Sequence, residues 1–251
     1  MENIGERLIW HYVPFTNIAL PLGGVNVLTL FNTLVVIVVL LALMLLAIRR
    51  MEKIPGRGQL LIEMFVGTFD DLVSSSLELE TQRENRKYFP LVTALFCFLL
   101  LSNFMGFLPG DMFQEPTADI NTTLSLGIMG MTIATVSGMR AKGIGTYFEE
   151  LLGPMWSQEE AEGVAKIAGK LSALFFFPLN VIGELSKIVS ISFRLFGNIM
   201  GGSIIIIVVS TLTYNLLLPV GLNYFFVFFV GTIQAFVFTM LTLTYIAVAI
   251  K

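Results

Sequence analysis

From Leu171 to Leu218 the chain carries only three charges, Glu184, Lys187 and Arg194. A single helix of that length would extend about 72 Å at about 1.5 Å per residue, against a bilayer hydrocarbon core of about 30 Å. The segment is therefore either a hairpin or part of a strongly tilted helix pair. The stretch from Gly221 to Ile250 is just as apolar. Over all 251 residues, 55% are hydrophobic and 13% charged, with a mean hydropathy of +0.82. A soluble domain carries about 25% charge. The expectation is an all-α membrane protein, a single polytopic domain over residues 1–251, with about five membrane helices and one amphipathic surface helix.

The spans follow from apolar length and flanking charge. The first runs over about 27–48 and is followed by Arg49, Arg50, Lys53 and Arg57. By the positive-inside rule that end is cytoplasmic and the N-terminus is outside, with Trp10, His11 and Tyr12 near the outer interface. Residues 58–76 place Leu61, Ile62, Phe65, Phe69, Leu72 and Val73 at helical spacing, with Glu63, Asp70 and Asp71 on other faces, which reads as an amphipathic surface helix. Residues 78–87 read as a solvated connector. The second span covers about 88–108, and its exit carries Asp111, Glu115 and Asp119 without a Lys or Arg, as an outer loop would. The third covers about 120–139 and ends at Arg140 and Lys142, back inside. An acidic cytoplasmic insert occupies 143–170. The last two spans, about 171–212 and 221–250, meet at the turn signals Thr213-Tyr-Asn215 and Pro219-Val-Gly221-Leu-Asn223 on the outer side, and Lys251 returns to the cytoplasm. The N-terminal residues have neither a basic region nor a small-residue cleavage site, so no signal or transit peptide is expected.

Arg194 is the residue that demands an explanation. An arginine at bilayer depth costs roughly 2.5–3.5 kcal/mol on insertion scales, and it cannot escape by losing its proton. Gly183, Lys187, Ser190, Arg194, Asn198 and Gly201 recur at steps of three or four and form one stripe, with apolar residues on the other faces. The stripe faces either a helix of the same chain or another chain. No other span offers a carboxylate at membrane depth, which favours another chain. Gly197 and Gly201 have GxxxG spacing, the kind of surface that lets a helix approach closely in lipid. On the last helix Gln234 and Tyr245 share a face with Gly231, Phe238 and Leu241, and Gln234 can hydrogen-bond towards the arginine region.

Other chemistry is missing from the sequence. It holds no HExxH, GxSxG, Walker loop or CxxC pattern, and its lone Cys97 lies in an apolar run where it serves packing. No cofactor, metal or nucleic acid is expected. A stand-alone secondary transporter is the rival from another class, but such folds often carry internal repeats and none is found here. A purely structural anchor leaves the striped arginine unexplained.

The run Glu184-Leu-Ser-Lys-Ile-Val-Ser-Ile-Ser-Phe-Arg-Leu-Phe-Gly-Asn198 resembles the signature of the a subunit of F-type ATP synthases. Asn103-Phe-Met-Gly-Phe-Leu-Pro109, Pro116-Thr-Ala-Asp-Ile-Asn-Thr-Thr-Leu-Ser125 and Gln234-Ala-Phe-Val-Phe238 match in the family's order. The resemblance implies a non-catalytic stator, its last two helices long and tilted against a ring of c subunits, with b-type peripheral stalk subunits as further partners; the lack of a transit peptide and the compact length point to a bacterial plasma membrane. It implies that Arg194 faces the ring carboxylates, that Asn198 and Gln234 support it, and that protons, or alternatively sodium ions, pass through two half-channels. The sequence departs from the family at the relay pair. The position nine residues after the arginine is Ser203, and residues 224–230 hold no carboxylate, base or histidine. A water-filled path lined by Ser203, Asn103, Asp119 and Asn121 is expected instead, with Glu184, Lys187, Ser190 and Tyr245 contributing elsewhere along the ion path.

Overall fold

The computed structural model describes residues 9–10, 25–49, 56–77, 82–108, 113–152, 164–213 and 217–251. Among these the chain is helical apart from short connections and one two-residue pairing, β1 (Ile9–Trp10) with β2 (Val25–Asn26). In lipid no water is available to backbone groups, so a spanning segment must satisfy its own hydrogen bonds, which helices do. The helices are α1 (Val27–Arg49), α2 (Arg57–Leu77), α3 (Gln82–Phe104), α4 (Ile120–Lys142), α5 (Ile144–Leu152), α6 (Val164–Leu212), α7 (Leu217–Tyr224) and α8 (Gly231–Ile250). A π-helical stretch, Phe225–Val230, joins α7 to α8. Five helices are long and apolar enough to cross a membrane: 27–48, 87–107, 120–142, 176–212 and 217–250. The chain is an all-α membrane protein.

Three details differ from the sequence reading. Helix α3 begins at Gln82, inside the stretch read as a connector; its polar first turns extend the helix beyond the apolar run. Helix α6 begins at Val164, inside the insert assigned to 143–170, and the insert also contains α5. The stretch Pro219–Asn223 is helical and not a turn, because Pro219 lies in the first turn of α7, where its missing N–H leaves no hydrogen bond unmade. His11, Tyr12, Arg50, Lys53, Asp111, Tyr214 and Asn215 lie outside the described residues, as do residues 153–163 of the insert.

The last helix is the hub. Its most apolar window is 44% buried, against 11% for α6 and α1, and it packs on α2, α3, α4 and α6. Ala235, Phe238, Leu243 and Ile246 are fully covered there. Helix α4 has a buried side of small residues, Thr123, Gly127, Gly130, Ala134, Ser137 and Gly138, and reaches the last helix at Gly130 and Gly138. Small side chains allow close approach where the hydrophobic effect cannot drive helices together. A Cβ on Gly138 would stand 2.8 Å from the Ala249 carbonyl oxygen, and one on Gly130 would stand 3.2 Å from Thr242 Cγ2. The amphipathic α2 buries Phe69, Val73 and Leu77, with the Phe69 ring centre 4.9 Å from that of Phe96 of α3 at a tilt of 45°. Cys97 is half-buried and packs against this core.

Candidate functional site

Helix α6 buries only a narrow seam. Ile191, Ser192 and Leu195 are covered, while Ile182, Leu185, Val189, Phe193, Met200 and Ile204 are exposed. Arg194 lies on the uncovered side, exposed, and makes no hydrogen bond or ion pair among the described residues. Gly183, Ser190 and Asn198 are exposed with it, and Lys187 and Gly201 are half-buried. A Cβ built on Gly183, Gly197 or Gly201 would meet nothing within 4 Å. The glycines of the stripe are thus not covered by the described helices. The seam residue Ser192 was not singled out from the sequence; it is fully buried because it sits against Gly127 of α4.

Asn198 connects α6 to the last helix. Its Nδ2 donates to Gln234 Oε1 at 2.6 Å. Gln234 is 4% exposed, and its Nε2 is buried without a partner among the described residues. Beside this pair lies a cavity of about 40 Å³ bounded by Asn103, Glu115, Asn198, Ser203, Asn223 and Gln234, with the π-helical Phe226, Val227 and Val230 as its apolar wall. The π-helical turns widen the last helix where the cavity sits, a common setting for functional sites. Two hydrogen bonds lock the wall: Asn103 Nδ2 donates to the Gly231 carbonyl at 2.8 Å, and Thr117 Oγ1 donates to Asn103 Oδ1 at 2.9 Å.

A second cavity, of about 370 Å³, lies towards the other end of α6. It is bounded by Glu184, Lys187 and Tyr245, with Asn180 and Tyr147. Lys187 Nζ donates to Glu184 Oε1 at 2.6 Å and stands 5.7 Å from the centre of the Tyr245 ring. Along α6, Arg194 falls between the two cavities, about 10 Å from Lys187 and about 6 Å from Asn198 in axial rise.

The expected path combining Ser203, Asn103, Asp119 and Asn121 is divided. Asn103 and Ser203 line the first cavity, whereas Asp119 and Asn121 line a third, of about 260 Å³, against Asn26 and Thr29 of β2 and α1. The separation has a local cause. Asp119 caps α4 by accepting from the Asn121 N–H at 3.0 Å and also accepts from Thr29 Oγ1 at 3.2 Å, which turns both residues towards α1.

Residues 29–247 match the family described as ATP synthase A chain. This chain belongs to that family. It is 38% identical to ATP synthase subunit a of Moorella thermoacetica, over 87% of this chain and 88% of that relative. Identity to ATP synthase subunit a of Campylobacter jejuni subsp. doylei is 36%, over 84% of each chain. To the same-named protein of Aliarcobacter butzleri it is 34%, over 80% of this chain and 79% of the relative. As a member of the ATP synthase A chain family with five apolar helices, the chain is a multi-pass membrane protein.

The sequence reading missed one titratable residue at the first cavity. Glu115 is half-buried on the loop between α3 and α4, and burial pushes its carboxyl up from 4.5 to about 7. Loops have no periodicity to betray an inward-facing side chain, and an acid in an outer loop reads as solvated.

Proposed function

We propose that this chain is the ion-conducting a subunit of a rotary F-type ATP synthase in a bacterial plasma membrane. It does not itself bind nucleotide; the synthesis and hydrolysis of ATP occur on other subunits. The N-terminus faces outside and the C-terminus the cytoplasm, a topology supported by Arg57 after α1 and by Arg140 and Lys142 at the end of α4. A ring of c subunits runs against α6, and b-type stalk subunits hold the chain still.

The observation that carries this reading is Arg194 itself: exposed, unpaired among the described residues, and set in an apolar helix face where a Cβ on the glycines would meet nothing within 4 Å. A fixed positive charge beside a passing ring carboxylate favours its ionised form, so the carboxylate releases its ion there. Away from the arginine the carboxylate faces lipid and must be neutral, because an unpaired charge in oil is too costly. The same guanidinium repels cations that would leak straight through. The two cavities on opposite sides of Arg194 along α6 support two offset half-channels. The outer one is lined by Asn103, Ser203, Asn198 and Gln234, and the inner by Glu184, Lys187 and Tyr245, with Ser190 on the ring-facing stripe. Asp119 and Asn121 line the separate cavity against α1. An ion entering by one path can leave by the other only after the ring has turned. The membrane potential then supplies about 2.3 kcal/mol per charge per 100 mV.

Replacing Arg194 with Ala in the assembled enzyme tests the reading. ATP-driven ion pumping into membrane vesicles is expected to vanish while the complex still co-purifies with its ring. Unchanged pumping would refute the assignment.

A further inference from the structure

The family's usual relay pair is missing here, since Ser203 and the 224–230 stretch carry no titratable group except Tyr224. The outer cavity is not without one. Glu115 enters it from the loop, directly before the buried Pro116 and Thr117, and the Thr117 hydroxyl ties the loop to Asn103. Gly106 makes the space: a Cβ there would overlap the Glu115 carboxyl, with 2.6 Å to its Cδ and 2.8 Å to its Cγ. The carboxyl makes no hydrogen bond or ion pair with a described residue. Across the same cavity Gln234 presents its buried, unpartnered Nε2. A buried amide without a partner calls for water, and about 40 Å³ holds a few waters at about 10–15 Å³ each.

We propose that Glu115 is the proton-handling carboxyl of the outer half-channel. As a carboxylate it takes one proton from the outer water, and it returns to the carboxylate by releasing that proton into the cavity waters, which lead past Asn198 to the ring carboxylate beside Arg194. This rests on the function proposed above and assigns that path to protons. The described polar groups that line the cavity with Glu115 carry no charge: Asn103 from α3, Asn198 and Ser203 from α6, Asn223 from α7 and Gln234 from α8. The nearest acid on its own loop, Asp119, is tied to Thr29 and Asn121. Burial alone then holds the carboxyl at about 7, where uptake and release are both accessible.

The test uses the whole ATP synthase in membrane vesicles, with proton flux followed by a pH dye. Glu115→Gln is expected to lower ATP-driven pumping at least tenfold, with the ring still bound. Glu115→Asp is expected to retain part of the flux. In the unmodified enzyme, flux driven from the outer side falls as the outer pH rises through about 7, and Glu115→Gln abolishes that inflection. Gly106→Ala, which displaces the carboxyl without touching it chemically, is expected to act in the same direction. Unmodified flux and pH profile in Glu115→Gln would overturn the assignment, as would Asp and Gln variants equally slow at every pH, or pumping that requires sodium and survives a protonophore. Arg194→Ala in the same vesicles separates the two levels. If it abolishes pumping while Glu115→Gln has no effect, only the relay assignment falls; if Arg194→Ala pumps normally, the function proposed above falls with it.

Discussion

The Asn198–Gln234 hydrogen bond gives the sharpest quantitative expectation. At 2.6 Å it joins the helix that carries Arg194 to the buried hub helix, one turn from the arginine. Interhelical hydrogen bonds in membranes average about 0.6 kcal/mol in double-mutant cycles, and a typical intramolecular bond is worth about 0.5–1.5 kcal/mol net. If the bond sets the position of Arg194 in the working enzyme, its loss lowers the pumping rate by about 3- to 13-fold, taking 0.6–1.5 kcal/mol at tenfold per 1.36 kcal/mol. The assay is ATP-driven pumping by Asn198→Ala, Gln234→Ala and the double variant, each normalised to assembled complex. Each single variant should fall in that range, and the double variant should be no slower than the worse single one, because both remove the same bond. Rate losses that multiply in the double variant would refute the reasoning, since the two side chains would then be acting independently.

Further expectations follow from packing and charge. A Cβ built on Gly201 meets nothing within 4 Å among the described residues, so in Gly201→Leu the subunit should accumulate and insert normally while pumping fails because the ring can no longer approach; impaired insertion would argue against an open face. Gly138→Leu meets the Ala249 backbone at 2.8 Å, and overpacking of this kind costs about 1–3 kcal/mol, so the detergent-solubilised subunit should melt earlier. For Glu115 the folded-state carboxyl titrates above its unfolded value, so its contribution to stability is complete below about pH 4.5 and is lost as pH rises to about 7. Glu115→Gln should remove that part of the decline in thermal stability between those two pH values, leaving the remainder intact.

The fold class was legible because apolar length and helical periodicity are local properties. The apolar run that begins at Leu171 is one long helix as far as Leu212. Helix ends were harder: the polar first turns of α3 and the start of α6 at Val164 continue helices past their apolar stretches. The periodicity placed Arg194, Ser190 and Asn198 together on one side of α6, and all three are exposed there. What periodicity could not supply was contact between segments far apart in sequence. Asp119 and Asn121 turn to α1 because a cap and a Thr29 hydroxyl hold them, and Glu115 turns inward because a glycine nine residues earlier leaves room. Both outcomes depend on how a loop lies across α3, which no single-helix pattern encodes.

The most direct measurement is the separation between the Arg194 guanidinium and the nearest carboxylate of the c ring in a map of the assembled complex. The account expects one ring carboxylate within about 4–6 Å, the range over which an opposite charge holds a carboxyl ionised. An arginine turned to groups of its own chain, with every ring carboxylate well beyond that distance, would contradict it.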